Sequence, residues 1–310
     1  MRVLITDHIH PYLALRLTQM GFICDVRETI TNEEVLECIS EYEGIIIATK
    51  IKVYKSLIDL ATNLKFVGRA GSGMENVDVA YAQSKGIACV NSPEGNRNAV
   101  AEHAIGMILS LMNHIPRSDR EMRSGIWMRE ENRGEELMGR TIGLIGFGNT
   151  GETLAKRLRG FEMTVLAYDP YRDSLPDGIA ILSDLKRIKE EADILSLHLP
   201  LTPETAHFFN LEFASSFRKP FYLINTSRGS VVNTAELIIA IRKGYVRAAA
   251  LDVFENEKPP SFDENEQAWW DEIRQMDRIL LTPHVAGWTQ ESKKRIAKVL
   301  SEKIKNLGIA

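Results

Sequence analysis

Gly146, Gly148 and Gly151 form G-x-G-x-x-G between an apolar run, Ile142, Leu144 and Ile145, and a helical pattern through Leu154, Ala155 and Leu158. Strand, tight glycine turn and helix in that order make a phosphate site. Gly146 permits the turn, Gly148 lets a pyrophosphate approach the backbone, and Gly151 lets the helix pack closely on the strand. The helix then presents unpaired N–H groups and its positive dipole end to the phosphate. After a second strand, MTVLAYD, Asp169 stands roughly where an acid that hydrogen-bonds an adenosine ribose is expected, about 20 residues on. A carboxylate there repels a 2′-phosphate, which favours NAD over NADP. A glycine turn without any ligand is the plainer alternative.

Open parallel sheets bind ligands beyond the carboxyl ends of their strands. Arg228 follows FYLINTS, Asp252 and Glu257 accompany AAALDVF, and His284 follows ILLTP. Histidine titrates near neutrality and can take a hydroxyl proton as hydride leaves carbon; a neighbouring carboxylate raises its pKa and fixes its tautomer. Arginine offers a planar fork of donors to a carboxylate and polarises the adjacent carbonyl. Beside a dinucleotide, such a set suits hydride chemistry on an alcohol or ketone. Each residue also has an ordinary use: Arg228 pairing with a surface acid, Glu257 in a solvated turn beside Glu255 and Lys258, His284 capping a strand. Structural roles are expected of the other histidines, among them His8, His10 and His103.

These groups need a scaffold of alternating strands and helices. RVLITD is a strand, residues 11–20 a helix, FICDV a strand, and Asn32 caps the next helix. GIIIA and KFVGR are buried strands separated by a helix over 54–61. The loop AGSGMENVD, residues 70–78, is either an anion nest or a plain turn into a helix capped near Asn76 or Asp78. IACV is a further strand, and residues 99–112 form a helix apolar nearly all round, as in a helix buried between domains or against a second subunit. Residues 117–139, rich in Arg and Glu around Trp127 and Met128, read as an arm over a surface. Beyond the glycine turn, DILSLH, FYLINTSRGS, VRAAALDVF and RILLTP continue the strands. Asn233 and Glu236 are spaced as a capping box, a long acidic connection precedes RILLTP, and residues 290–307 make a last helix. This alternation implies an α/β fold with parallel sheets.

The length of 310 residues and 44% hydrophobic content suit two domains of ordinary size. A formal net charge of −4 supplies no basic field for nucleic acid or an acidic membrane. The longest apolar stretch, near 104–112, is too short to span a bilayer, and MRVLITD is not expected to be a signal peptide. Cys24, Cys38 and Cys89 lack C-x-x-C spacing, so reduced thiols of a cytosolic protein are expected, and no metal site.

Seven segments together carry a family resemblance: GRAGSGMENVD, NSPEGNRNAVAEHAIGM, GRTIGLIGFGNTG with YDP, HLPLTPET, INTSRGSVVN, ALDVFENEKP and LLTPHVAG. In this order they make the chain resemble the D-isomer-specific 2-hydroxyacid dehydrogenases over nearly its whole length. The resemblance implies two doubly wound parallel-sheet α/β domains. A Rossmann nucleotide-binding domain, residues 99–285, is inserted in a smaller flavodoxin-like substrate domain, residues 1–98 and 286–310, with catalysis in the cleft. It implies NAD as cofactor, a small 2-hydroxy or 2-oxo acid as substrate, and a homodimer through the nucleotide-binding domain. By the same likeness Arg228 binds the substrate carboxylate and carbonyl, His284 is the acid/base and Glu257 its partner. Backbone at Asn149 and Thr150 lies by the pyrophosphate, Asp252 by the nicotinamide, and Pro200 and Thr226 also belong to the cofactor site. Ser72, Gly73 and Met74 hold the substrate carboxylate.

Within the family, GRAGSGMENVD and VRAAALDVFENE are most similar to 3-phosphoglycerate dehydrogenases, so 3-phosphoglycerate is the expected substrate, with no regulatory domain after Ala310. Two departures bear on this. Ala48 stands where those enzymes commonly carry an Arg for the substrate phosphate, so either Lys50 or Lys52 substitutes or the substrate lacks a phosphate. Trp288 stands where a small polar residue is common. Hydroxypyruvate or glyoxylate reduction is the alternative, and a catalytically silent, NAD-sensing corepressor-like binding protein a further one.

Overall fold

Short runs of Val, Ile and Leu, each followed by a helix, give parallel strands buried on both faces. In the computed structural model, which describes residues 1–309, the chain forms two compact units, residues 1–97 with 288–310 and residues 98–287. The first unit contains β1 (Arg2–Ile5), α1 (Tyr12–Gln19), β2 (Ile23–Val26), α2 (Asn32–Cys38), β3 (Gly44–Ile47), α3 (Lys55–Leu60), β4 (Phe66–Arg69), α4 (Val79–Ser84) and β5 (Ala88–Asn91). Its five-stranded parallel sheet has the order β2-β1-β3-β4-β5. Alternate side chains face opposite layers: Val3, Ile5 and Ile46 pack with Leu13 and Leu17, whereas Leu4, Ile45 and Ile47 pack with Val35 and Leu57. The C-terminal helix adds Ala297, Leu300 and Ile304 to the first of these layers.

Helix α5 (Pro93–Met112) carries the chain into the second unit. There follow α6 (Ile115–Arg123), β6 (Thr141–Ile145), α7 (Asn149–Leu158), β7 (Thr164–Tyr168), β8 (Ile181–Leu182), α8 (Leu185–Glu191), β9 (Ile194–Leu197), α9 (Leu211–Ser215) and β10 (Phe221–Asn225). Then come α10 (Thr234–Arg242), β11 (Val246–Leu251), α11 (Glu264–Ile273), β12 (Ile279–Leu281) and, back in the first unit, α12 (Gln290–Lys305). The seven strands are parallel in the order β12-β11-β10-β9-β6-β7-β8. Strand order reverses at β6, so the carboxyl ends of β6 and β9 border a crevice of the kind that takes a dinucleotide. Ile142 and Leu144 bury against Leu111, Leu154 and Leu158 on one face, and Ile145, Leu195 and Leu223 against Ile188, Leu237 and Ile241 on the other. Leu144 and Leu223 are fully buried, and truncation of either to Ala costs roughly 2–5 kcal/mol.

Several elements differ from the sequence reading, each for a local reason. Thr31, not Asn32, caps α2, its hydroxyl accepting from the Glu34 N–H while Glu34 reaches back in a capping box. Helix α5 starts at Pro93 instead of 99: Pro suits the first turn, and Gly95 inside it is a packing device, since a Cβ there would lie 2.6 Å from the Ile296 backbone. Residues 117–139 are not wholly an arm, because α6 occupies the start, with Asp119 and Arg123 paired one turn apart. Asn233 does cap α10, but Glu236 sends one oxygen to the Leu211 N–H, joining α10 to α9. The acidic connection contains α11, opened by an Asp263–Glu266 capping box and anchored by Trp269 and Ile273.

Candidate active site

The glycine turn is shaped by backbone contacts that no side chain could share. Gly146 has φ of +93°, and a Cβ on it would lie 2.5 Å from the His198 carbonyl oxygen; one on Gly151 would lie 2.3 Å from the Gly146 carbonyl oxygen. At Gly148 nothing lies within 4 Å of that position, leaving open the space a pyrophosphate would fill. Helix α7 starts immediately after it with no side-chain cap, unlike α8, α9, α10 and α11. Asn149 and Thr150 form its first turn, where N–H groups attract anions. At the end of β7 the Asp169 carboxylate accepts from the Phe147 N–H at 2.9 Å and the Tyr171 N–H at 3.0 Å, which locks it beside the turn. His198, missed in the sequence, forms the floor: its ring bonds Ser196 Oγ at 3.0 Å, and burial pushes its pKa down to about 4, so it is neutral at pH 7.

At the far edge of the sheet, the loop after β12 is wrapped around one carboxylate. Asp252, 1% exposed, accepts from Thr282 Oγ1 at 2.6 Å, the Val285 N–H at 2.9 Å and the Ala286 N–H at 2.9 Å. Its own carbonyl accepts the His284 N–H at 2.7 Å. These bonds hold His284 at φ of +54°, a left-handed conformation that a non-glycine residue adopts only when its surroundings impose it. Asp252 therefore supports the loop with both oxygens. The His284 ring is half-exposed and its Nδ1 lies 2.8 Å from Glu257 Oε2. The carboxylate fixes a proton on Nδ1 of the imidazole and, as the largest cause, raises the His284 pKa against burial and the Arg228 charge. Burial, the largest single cause, pushes the Glu257 carboxyl up, but the His284 hydrogen bond and charge, the Phe254 N–H and the Arg228 charge together outweigh it and leave the carboxyl low.

Arg228 follows β10, and its charge is felt by both members of that pair. Its Nη1 group donates to the Ser227 carbonyl at 2.7 Å, and Asn225 Nδ2 donates to the Arg228 carbonyl at 3.0 Å. The neighbouring Gly229 presses against the next loop, where a Cβ would lie 1.8 Å from the Phe254 carbonyl oxygen. Arg228 and Glu257 thus sit on loops in backbone contact. The Thr226 hydroxyl, in the same turn, is buried with no hydrogen-bond partner, a cost a bound cofactor would relieve. Pro200 is exposed at the start of the loop after β9, its carbonyl accepting from Thr205 Oγ1 at 2.6 Å. The structure thus brings Arg228, Glu257, His284, Asp252 and Thr226 to one edge of the second sheet.

Ser72, Gly73 and Met74 belong to the first unit and follow β4. Ser72 Oγ donates to Asn96 Oδ1 at 2.8 Å, its carbonyl accepts from Asn91 Nδ2 at 2.6 Å, and Asp78 is the residue that caps α4. On the same edge, beyond β1 and β3, Asp7 Oδ2 accepts the Ala48 N–H at 2.8 Å. Lys50 Nζ donates to the Glu28 carbonyl at 2.7 Å, and the Glu28 carboxylate meets His8 Nδ1 at 3.0 Å. Among the described residues no cluster of His, Cys, Asp and Glu could hold a metal ion, and no helix is long and apolar enough to cross a membrane.

Residues 105–286 match the family model described as D-isomer specific 2-hydroxyacid dehydrogenase, NAD binding domain. A D-3-phosphoglycerate dehydrogenase of Methanocaldococcus jannaschii is 33% identical over 99% of this chain and 57% of that protein. A hydroxypyruvate reductase of Thermotoga maritima is 37% identical over 91% of this chain and 90% of that protein. Of solved structures, a D-lactate dehydrogenase of Aquifex aeolicus complexed with NAD and lactic acid is 27% identical, with a TM-score of 0.84 covering 99% of this chain and 95% of that one. The chain spans little more than half the length of the phosphoglycerate dehydrogenases that it matches.

Proposed function

The chain belongs to the D-isomer specific 2-hydroxyacid dehydrogenase family, and on that premise we propose that it transfers a hydride between NAD(H) and a small 2-hydroxy or 2-oxo acid. The observation that carries this reading is the His284–Glu257 pair at 2.8 Å, on a loop held in a strained conformation at the edge of the sheet that bears the glycine turn. Bound NADH supplies the hydride. The Arg228 guanidinium takes the substrate carboxylate and draws electron density from the neighbouring carbonyl. As the carbonyl carbon gains hydride, the proton on His284 Nε2 passes to its oxygen, and Glu257 stabilises the imidazolium from the Nδ1 side. In the reverse direction neutral His284 removes the hydroxyl proton. Gly146, Gly148 and Gly151, the first turn of α7, Asp169, Thr226 and Pro200 hold the dinucleotide in this reading, and Ser72, Gly73 and Met74 take the substrate carboxylate.

A specific observation favours a substrate without phosphate over 3-phosphoglycerate. A phosphate dianion needs several cationic or N–H donors. At Ala48 the backbone N–H is already taken by the Asp7 carboxylate, whose charge repels a phosphate, and Lys50 is turned to the Glu28 carbonyl, so neither donor is presented to a phosphate. Hydroxypyruvate or glyoxylate meets no such repulsion. The test is a panel of hydroxypyruvate, glyoxylate, 2-oxoglutarate and phosphohydroxypyruvate, each with NADH and NADPH. Reduction of an unphosphorylated acid with NADH, at a kcat/KM at least about tenfold above that with phosphohydroxypyruvate, is expected. Preference for the phosphorylated acid refutes the substrate assignment, equal use of both cofactors refutes the role of Asp169, and no reduction of any acid supports a binding protein instead.

We also assign a homodimer interface to α6 and the stretch after it, where Ile115, Met122, Trp127 and Met138 are exposed.

A further inference from the structure

Behind the loop that carries His284 lies a polar chain that the proposed reaction has not used. His103 sits on α5, one turn from the buried Ala99 and one turn from the buried Met107. An imidazole among such neighbours must find partners for its ring nitrogens. Its Nε2 lies 3.1 Å from Thr282 Oγ1 and 3.7 Å from Asp252 Oδ1.

The hydrogen atoms in this chain can be assigned by elimination. Thr282 has one hydroxyl proton, and at 2.6 Å from an acceptor-only carboxylate that proton points to Asp252. The hydroxyl oxygen can then only accept from His103, so the proton of the imidazole is on Nε2. The order is His103 Nε2–H to Thr282 Oγ1–H to Asp252 Oδ1. Each donation polarises the next, and the low-dielectric setting of a carboxylate that is 1% exposed strengthens all of them. The same carboxylate collects the Val285 and Ala286 N–H groups immediately after the His284 bend. Its position thus decides where the bend lies, and the bend decides where the His284 ring points.

We propose that His103 is a positioning residue of the active site: acting through Thr282, it pins Asp252 and so holds the His284 loop in its left-handed conformation. This rests on the assignment of His284 as the acid/base. Neither His103 nor Thr282 touches substrate in this account. They fix the approach of Nε2 of His284 to the substrate oxygen, where small displacements are costly.

The experiment compares His103→Phe, His103→Gln, Thr282→Val and the Phe/Val double variant with the wild-type chain. Steady-state kinetics use NADH and the best 2-oxo acid of the panel. His103→Phe keeps the bulk and loses the donor, whereas His103→Gln keeps an N–H near the place of Nε2. Kcat is expected to fall about tenfold or more in His103→Phe and in Thr282→Val, with NADH Kd nearly unchanged, and to recover most of the way in His103→Gln. Because the two residues form one chain, the double variant is expected to be no slower than the slower single one. A merely structural role would give losses in thermal stability with additive kinetic effects and no rescue by Gln. Wild-type kcat in both single variants, or full additivity, overturns the inference. If the wild-type chain itself reduces no acid, the proposed function falls, and hydrogen exchange still judges the chain of bonds. Val285 and Ala286 amides should then exchange faster in both single variants, and unchanged exchange overturns the inference independently.

Discussion

His284 shows how much of the chemistry depends on the partner of a single nitrogen. Its pKa is raised chiefly by the hydrogen bond to Glu257, so the protonated form persists above the usual histidine range. A proton donor is needed for 2-oxo acid reduction and a proton acceptor for 2-hydroxy acid oxidation. Reductive kcat/KM is therefore expected to be flat at low pH and to fall as pH rises through the raised pKa, with oxidative kcat/KM rising over the same window. In Glu257→Gln the largest cause is removed, and both limbs should move to lower pH. Profiles that stay in place would separate Glu257 from the proton transfer. That Arg228, Glu257 and His284 stand beyond the ends of strands was legible in the sequence, because each follows a strand whose apolar run is unmistakable. His103 and Thr282 were not, since only a bond between residues far apart in the chain gives them a task.

At the scale of elements, the loops after β10, β11 and β12 behave as one layer. Gly229 is the contact between the first two, and it was invisible beforehand: INTSRGSVVN offers no local reason why that glycine cannot carry a side chain. With a Cβ only 1.8 Å from the Phe254 carbonyl oxygen, Gly229→Ala must separate the loops that carry Arg228 and Glu257. Kcat/KM is expected to fall by about a hundredfold, while NADH Kd stays nearly unchanged, the proposed dinucleotide site being centred on the glycine turn. An alanine variant with wild-type kinetics would show that the contact yields easily and sets no geometry. Helix α11 was missed for the opposite reason. Its acids made the segment look like a solvated connection, although Asp263 and Glu266 already had the spacing of a capping box.

For the whole molecule, two parallel sheets account for nearly every apolar run, and the inserted order of the units follows from α12 packing on β4 and β5 of the first sheet. The exposed Trp127, 76% accessible, and its apolar neighbours on and after α6 are the face assigned to a second copy. Size-exclusion chromatography with light scattering is expected to give twice the chain mass, and Trp127→Ser to shift the mass toward that of one chain. A monomer at micromolar concentration in the unaltered protein would remove the dimer from the account.

The fold class, the glycine turn with Asp169 at the end of the next strand and the order of polar groups along the strand ends were determined by the sequence itself. Each is written in local periodicity or in short spacings that chain geometry translates directly into structure. Tertiary structure alone decided that Asp252 spends both oxygens on the His284 loop, that Asp7 occupies the Ala48 N–H, that His198 underlies the glycine turn and that His103 stands behind Thr282. Every one of these joins segments separated in the chain, and a hydrogen bond between them exists only once the packed sheets have set the distance.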